Sequence, residues 1–358
     1  MSRVAVLYTP LSSGVRCDLC ARRCIIPEGK VGFCNVRRNV NDRLLTDIYG
    51  ALSIRYIDDI EKKLQYHFNP GSSTYSFGTT SCNFRCKFCI NWELSTEKEF
   101  VPVVKMWPSE IVETAIKNGC QGISFTYNEP TIFFEFAYDT AKLARKSNLN
   151  TVLVTNGYMT PEAVEMIAPY IDAASIDFKG SGNSHFYRKI CEVPNVQPIF
   201  ECAQMLRDKR IHIEISNIVV LEHGDSDQEQ YKLGKWVLDN LGPETPLHLL
   251  SFMDRCLIDH EPVGRHVIEL CNDLRNLGLK YVYNDFETNT NCPECGEQLI
   301  RRDLKMFDTR YTVTYNLTSE HACPKCGTKI PIVGTCYSGR KASGFRVGGA
   351  GYLWDYPG

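Results

Sequence analysis

No apolar run in the 358 residues approaches the roughly 18 that a membrane-spanning helix needs. The opening residues, MSRVAVLYTPLSSG, hold a short apolar stretch but lack the basic, long apolar and small-residue layout of a secretory signal. The expected address is therefore the cytoplasm, with no membrane partner. An excess of one charge is also missing. Lys and Arg number 40 against 42 Asp and Glu, a formal charge of −2, which argues against a generic nucleic-acid partner. Neither an internal repeat nor a low-complexity tract is present. Apolar residues make up 43%, ordinary for a chain that buries a sizeable core. The length suits one large catalytic domain with one or two small appendages.

Cysteine, in contrast, is abundant, with seventeen in all. Eleven fall into three groups: Cys17, Cys20, Cys24 and Cys34; Cys82, Cys86 and Cys89; and Cys292, Cys295, Cys323 and Cys326. In a long chain without a secretory signal such clustering points to metal, not to cross-links. Cys120, Cys191, Cys202, Cys271 and Cys336 are scattered and read as small buried hydrophobes. Cys256 also stands apart, but in a loop where a functional role is open.

Between about residues 71 and 285, short β-branched or aromatic runs alternate with amphipathic segments. The runs lie at 74–78, 122–127, 150–155, 173–178, 212–220 and 246–252, with a last one at 280–283. Helical patterns lie at 108–118, 131–147, 160–167, 197–209, 227–241 and 262–277. Six strand–helix units in a row predict an α/β fold, a partial (β/α)6 TIM-like barrel with right-handed crossovers. Residues 1–70 form an expected N-terminal four-cysteine module. Residues 286–336 form an expected zinc-ribbon-like module, and 337–358 a Gly- and aromatic-rich tail.

The loop Cys82-Asn83-Phe84-Arg85-Cys86-Lys87-Phe88-Cys89 follows the first of these strands. Soft thiolates this close favour iron–sulfur or zinc. A structural zinc site and an ordinary [4Fe–4S] cluster each take four ligands. Three cysteines on one loop leave one iron corner open, unless a distant fourth ligand completes a zinc site. The CxxxCxxC spacing, with Phe88 before the third cysteine, resembles the radical S-adenosylmethionine (SAM) superfamily. The resemblance implies that SAM chelates the open iron and is cleaved to a 5′-deoxyadenosyl radical.

Functional groups are expected at the C-terminal ends of the strands of such a fold. Thr126-Tyr127-Asn128-Glu129-Pro130 resembles the Gly-Gly-Glu-Pro segment that binds the SAM ammonium, with Asn128 where Gly is usual. Asn156, and the pair Asp177 and Lys179, resemble positions that touch the SAM carboxylate and ribose in activating enzymes of glycyl-radical proteins. Asp177 and Lys179, two apart on a strand, share one face. His223, after the fifth strand, reads as a loop residue. After the sixth strand, Ser251 stands where relatives carry Arg, and Met253 where they carry His or another aromatic. That end faces the substrate, so its identity stays open.

Cys17, Cys20, Cys24 and Cys34 supply enough thiolates to close a site, either zinc or a second [4Fe–4S] cluster, and the spacing does not choose. Cys292-Pro-Glu-Cys295-Gly and Cys323-Pro-Lys-Cys326-Gly form paired knuckles that predict zinc. A rubredoxin-like iron site would use the same ligands.

From about Cys17 to Val333 the layout resembles the radical SAM component of the AmmeMemoRadiSam system, related to the pyruvate formate-lyase activating enzyme. The matching stretches include Gly29 and Gly32, Tyr127 to Thr131, Val154 to Tyr158, Ile176 to Gly180 and Cys326 to Pro331. The expected function is a radical SAM oxidoreductase drawing on a flavodoxin- or ferredoxin-like electron donor. Its substrate, a protein or a small molecule, is left open by the resemblance. One alternative is a glycyl-radical-enzyme activase. Others are a non-catalytic iron–sulfur and zinc electron carrier and a zinc-ribbon enzyme acting on nucleic acid.

Overall fold

A computed structural model describes residues 2–96, 103–220, 226–251, 266–304 and 311–338. Its centre is a sheet of eight strands: β1 (Ile54–Asp59), β2 (Ser73–Gly78), β3 (Gly122–Phe125), β4 (Asn150–Thr155), β5 (Ala173–Lys179), β6 (His212–Val219), β7 (Leu247–Ser251) and β8 (Val282–Asn284). They lie side by side in chain order, β1 pairing antiparallel with β2 and every later pair parallel. Such runs of Val, Ile and Phe suit a sheet buried on both faces. Parallel neighbours need long crossovers, and helices supply them. These are α1 (Pro108–Lys117), α2 (Phe134–Lys146), α3 (Pro161–Ile167), α4 (Ser184–Ile190), α5 (Gln197–Asp208), α6 (Asp227–Asn240) and α7 (His266–Leu277). Order without reversal and with right-handed crossovers keeps the helices on one side of the sheet. Among the described residues the ladder is open, ending at β1 and β8.

Each expected strand is present. In the central sheet and its crossovers two elements are additional: β1 arises within the residues assigned to the N-terminal module, and α4 fills a stretch to which no element was assigned. The helices start where local chemistry dictates. Thr160 Oγ1 accepts from Ala163 N–H at 3.2 Å, Asn183 Oδ1 caps α4, and Pro occupies the first turn of α1, α3 and α5. Phe77, Phe125 and Phe136, all fully buried, pack edge to face with ring centroids 5.5 Å apart, between the sheet and α2.

Two small antiparallel assemblies flank the sheet. On the N-terminal side, Gly14–Cys17 pairs with Tyr8–Leu11 and Ile25–Ile26, and Arg43–Thr46 pairs with Arg3–Val4 and Arg37–Val40. This part docks beyond the end of β4, where Ala21 N–H donates to Tyr158 O at 3.0 Å and Thr160 Oγ1 to Asp18 O at 2.7 Å. On the C-terminal side, Thr290–Asn291, Gln298–Leu304 and Tyr311–Tyr315 form a three-stranded sheet. Arg302 fastens it, donating to Tyr66 O at 2.6 Å with its guanidinium 4.3 Å from the Tyr66 ring centroid. Among the described residues no helix is long and apolar enough to cross a membrane.

Candidate functional site

β2 feeds directly into the three-cysteine loop, and the loop is pinned before its first cysteine. Asn128 Oδ1 accepts from Thr79 N–H at 2.9 Å, and Asn128 Nδ2 donates to Thr79 Oγ1 at 2.9 Å and Ser81 O at 2.8 Å. No Gly could make these bonds. The left-handed residue of the turn is Tyr127, at φ 71°, whose hydroxyl donates to Asp58 Oδ2 at 2.6 Å. Its carbonyl accepts from Asn91 Nδ2, beyond the third cysteine, at 2.7 Å. Further along, Arg85 N–H and Lys87 N–H donate to Cys191 O and Ile190 O, each at 3.0 Å. The loop thus rests on the C-terminal end of α4, using carbonyls that the last helical turn leaves without partners. Phe88, 3% exposed, lies 5.7 Å from the Phe186 ring of the same helix.

Two of the sulfurs have polar neighbours. Phe84 N–H points at Cys82 Sγ at 3.3 Å, and Cys89 Sγ lies 3.2 Å from Ser95 Oγ. Burial pushes the Cys82 and Cys89 thiols up. Cys86 is raised first by a thiol hydrogen bond with Cys191 and then by burial. Iron or zinc supplies the charge that lets buried thiols ionise. Cys191 has no local sequence signal. It is fully buried, as expected of a small hydrophobe, yet the clamp on α4 brings it to the loop.

The other expected site residues converge here. Glu129 is 3% exposed and accepts from Thr131 N–H (3.0 Å), Thr131 Oγ1 (2.6 Å), Thr155 Oγ1 (2.7 Å) and Asn156 N–H (2.7 Å). It therefore ties the end of β3 to the end of β4. Burial outweighs these donors and leaves its carboxyl above the usual range. Only the bond from Asn156 goes to Oε2. Asn156 Nδ2 in turn donates to Asn83 Oδ1 at 2.7 Å, reaching into the loop beside Cys82. Asp177 accepts from Ser216 Oγ. Burial works against the Lys179 ammonium, but Asp177, then Cys86, Cys191 and Cys89, outweigh it and hold the lysine above its ordinary value. Lys179 is thus a cation close to the loop thiols.

The flanking quartets sit apart from one another. Cys17, Cys20, Cys24 and Cys34 line one cavity that Asn83 also borders, so this group abuts the three-cysteine loop. Cys292, Cys295, Cys323 and Cys326 have sulfurs within 4.8 Å of one another, a set able to hold one metal ion. Gly296 and Gly327, at φ 73° and 81°, turn the two knuckles, their amides donating to Cys292 O (3.0 Å) and Cys323 O (2.9 Å). His223, Met253, Cys256 and the tail beyond residue 338 lie outside the described residues.

The radical SAM superfamily profile matches residues 76–237, the span from β2 into α6. The uncharacterized protein MJ0808 of Methanocaldococcus jannaschii is 39% identical over 341 residues, covering 92% of this chain and 99% of that protein. MJ1632 of the same organism, named provisionally as a glycyl-radical enzyme activating enzyme, is 26% identical over 161 residues, 44% of this chain and 60% of that one. Among solved structures, a radical SAM methyltransferase from Sphaerobacter thermophilus superposes with a TM-score of 0.49 at 13% identity, over 64% of this chain and 71% of that one.

Proposed function

This chain carries a radical SAM superfamily domain and belongs to one family with MJ0808, and from that premise we propose that it is an enzyme cleaving SAM at a [4Fe–4S] cluster held by Cys82, Cys86 and Cys89. The observation that carries the reading is the convergence of three strand ends on the cysteine loop. Glu129 after β3 and Asn156 after β4 are bonded to each other and on to Asn83, and Lys179 at the end of β5 faces Cys86 and Cys89. The residues fit the group, since the Phe84 N–H points at Cys82 Sγ and the Lys179 cation offsets thiolate charge. Bound there, the group supplies one-electron cleavage of the sulfonium to a 5′-deoxyadenosyl radical for hydrogen abstraction.

The chain's own residues supply position and charge. Glu129 Oε2, with one bond accepted, keeps a lone pair for the SAM ammonium while Oε1 braces the strands. Asn156 is held by Glu129 and Asn83 for the carboxylate, and Asp177 and Lys179 stand together for carboxylate and ribose. Asn128 and the α4 clamp fix the backbone of the loop, so that Cys82, Cys86 and Cys89 would hold the cluster from a loop already held in place.

The finer reading is the radical SAM component of the AmmeMemoRadiSam system, on a partial barrel, an oxidoreductase of the cytoplasm fed by a flavodoxin- or ferredoxin-like donor. Zinc is the proposed metal of the C-terminal quartet. The similarity to MJ1632 supports a glycyl-radical-enzyme activase as one form of the activity. Anaerobic reconstitution with iron, sulfide, SAM and dithionite tests the proposal. The wild type is expected to release 5′-deoxyadenosine and Cys86→Ala to release none; equal yields from the two would refute it.

One observation favours a second reading. Cys191 touches Cys86, and a fourth thiolate closing the cluster would leave a plain electron carrier. Against it stands the contact of Cys191 with Cys86, itself one of the three sulfurs that would ligate the iron. In Cys191→Ala the enzyme reading expects iron and 5′-deoxyadenosine formation to persist, and the carrier reading expects the cluster to be lost.

A further inference from the structure

The protein holds two four-cysteine groups, and their geometries differ. In the C-terminal group the Cys292 and Cys326 sulfurs are 3.5 Å apart and those of Cys295 and Cys323 3.7 Å apart. Four thiolates at about 2.3 Å from one ion must sit roughly that close. The N-terminal sulfurs do not. Among the described residues, no three of the sulfurs of Cys17, Cys20, Cys24 and Cys34 gather within 4.8 Å of one another. All four nevertheless line a single cavity wide enough for a water-sized sphere to move about inside it. The centre of a tetrahedral zinc site has no such room, being one metal–sulfur bond from every ligand. A four-iron cube spreads its thiolates over four corners and needs the wider set.

The walls of the cavity point to the same guest. Arg37 is 1% exposed and lines the cavity, and its Nη2 is paired with Glu135 while its Nε has no partner. Asn83 is fully buried and lines it too, with Nδ2 unpartnered. Two orphaned buried donors border a cavity whose other walls include Leu19, Ile26 and Ile132. Buried donors of this kind are expected to have an acceptor. Gly32 keeps the wall thin, since a Cβ there would come within 3.1 Å of Ile26 Cδ1 and 3.8 Å of Cys24 Sγ.

We propose that Cys17, Cys20, Cys24 and Cys34 carry a second [4Fe–4S] cluster, with Arg37 Nε and Asn83 Nδ2 donating to its sulfurs. It stands against the SAM-cleaving loop. Asn83 follows Cys82 in the chain, its carbonyl accepts from Arg22 Nε at 2.6 Å, and Ser81 Oγ donates to Cys34 O at 2.6 Å. Asn83 borders the cavity and directly follows Cys82, so two reduced clusters would lie near enough for their spins to couple. The second cluster itself does not depend on SAM cleavage; only the nature of its neighbour rests on the function proposed above.

Iron, acid-labile sulfide and zinc are measured on the anaerobically reconstituted full chain, with EPR of the dithionite-reduced protein. The wild type is expected to hold about eight irons and about eight sulfides, and the Cys82→Ala/Cys86→Ala/Cys89→Ala variant about four of each. The reduced wild type is expected to show a spin-coupled spectrum in which SAM changes one component, and Cys20→Ala/Cys24→Ala to keep only that component. About four sulfides in the wild type, with two zincs and an uncoupled spectrum, would overturn the proposal. Because the wild-type measurements decide alone, a variant that fails to fold leaves the test intact. Failure of the SAM-cleaving reading is distinct: all eight irons present with no 5′-deoxyadenosine.

Discussion

Glu129 accepts four hydrogen bonds from the protein itself, so its replacement is felt before any cofactor arrives. Glu129→Gln turns an NH2 group toward protein donors and is expected to cost about 1–3 kcal/mol, read by urea unfolding of the metal-free chain. Unchanged stability would mean the carboxylate is not the brace described here. Glu214 is a second such residue, fully buried at the start of β6. It accepts from His67 N–H at 2.7 Å, with His212 Nε2 at 3.0 Å and His248 Nε2 at 2.8 Å. Burial pushes this carboxyl up, but the His212 and His248 donors outweigh it and hold it well below the usual carboxylate range. A depressed folded value contributes stability that is full above the unfolded pKa of about 4.3 and is lost progressively as pH falls from there through the lower folded value. Glu214→Gln is therefore expected to be less stable than the wild type at pH 7, with the gap in thermal melts starting to narrow only as pH falls below about 4. Single residues with a motif around them, such as Glu129, Asn156 and the loop cysteines, were legible in the sequence. Cys191 was not, because its partner Cys86 is distant in the chain and only the α4 clamp joins them.

The turn from β5 into α4 decides where that clamp sits. Gly180 lies at φ 51°, and a Cβ there would meet the Phe186 ring at 2.3 Å, the ring that backs Phe88. Gly180→Ala is expected to destabilise the fold by about 1–3 kcal/mol and to lower the iron retained by the loop, measured by melting temperature and by iron content of a variant lacking Cys20 and Cys24. Normal iron at that loop would detach the turn from the site. The strands β2 to β8 could be read from the sequence because their β-branched and aromatic runs are bounded by turn residues. β1 was missed because Ile54-Arg55-Tyr56-Ile57-Asp58-Asp59 ends in two carboxylates that look solvated. Asp58 is in fact buried, paired with Lys63 at 2.6 Å and bonded to Tyr127, an arrangement that only the tertiary fold supplies. α4 spans only two turns, too short for helical periodicity to stand out.

Across the whole molecule the two cysteine quartets occupy different surroundings. The N-terminal one is wedged against the loop. The C-terminal one belongs to an apolar cluster in which Tyr66, Tyr281 and Tyr283 meet Leu299, Ile300 and Ile330. Loss of its metal is expected to loosen that cluster without reaching the loop. Cys295→Ser/Cys326→Ser should lose one metal per chain and melt at lower temperature, yet still form 5′-deoxyadenosine; loss of activity with the loop iron intact would tie the ribbon to the chemistry. The sequence announced three cysteine groups and their order, but not that one closes around a point and another around a void, since thiolate spacing in the chain does not fix spacing in the fold. The central claim is that three side chains, not four, hold the loop cluster. Electron–nuclear double resonance of the reduced protein with SAM labelled with 15N at its amino group tests it most directly. The account predicts a nitrogen coupling to the loop cluster that persists in Cys191→Ala; a fully loaded wild type with no such coupling would contradict it.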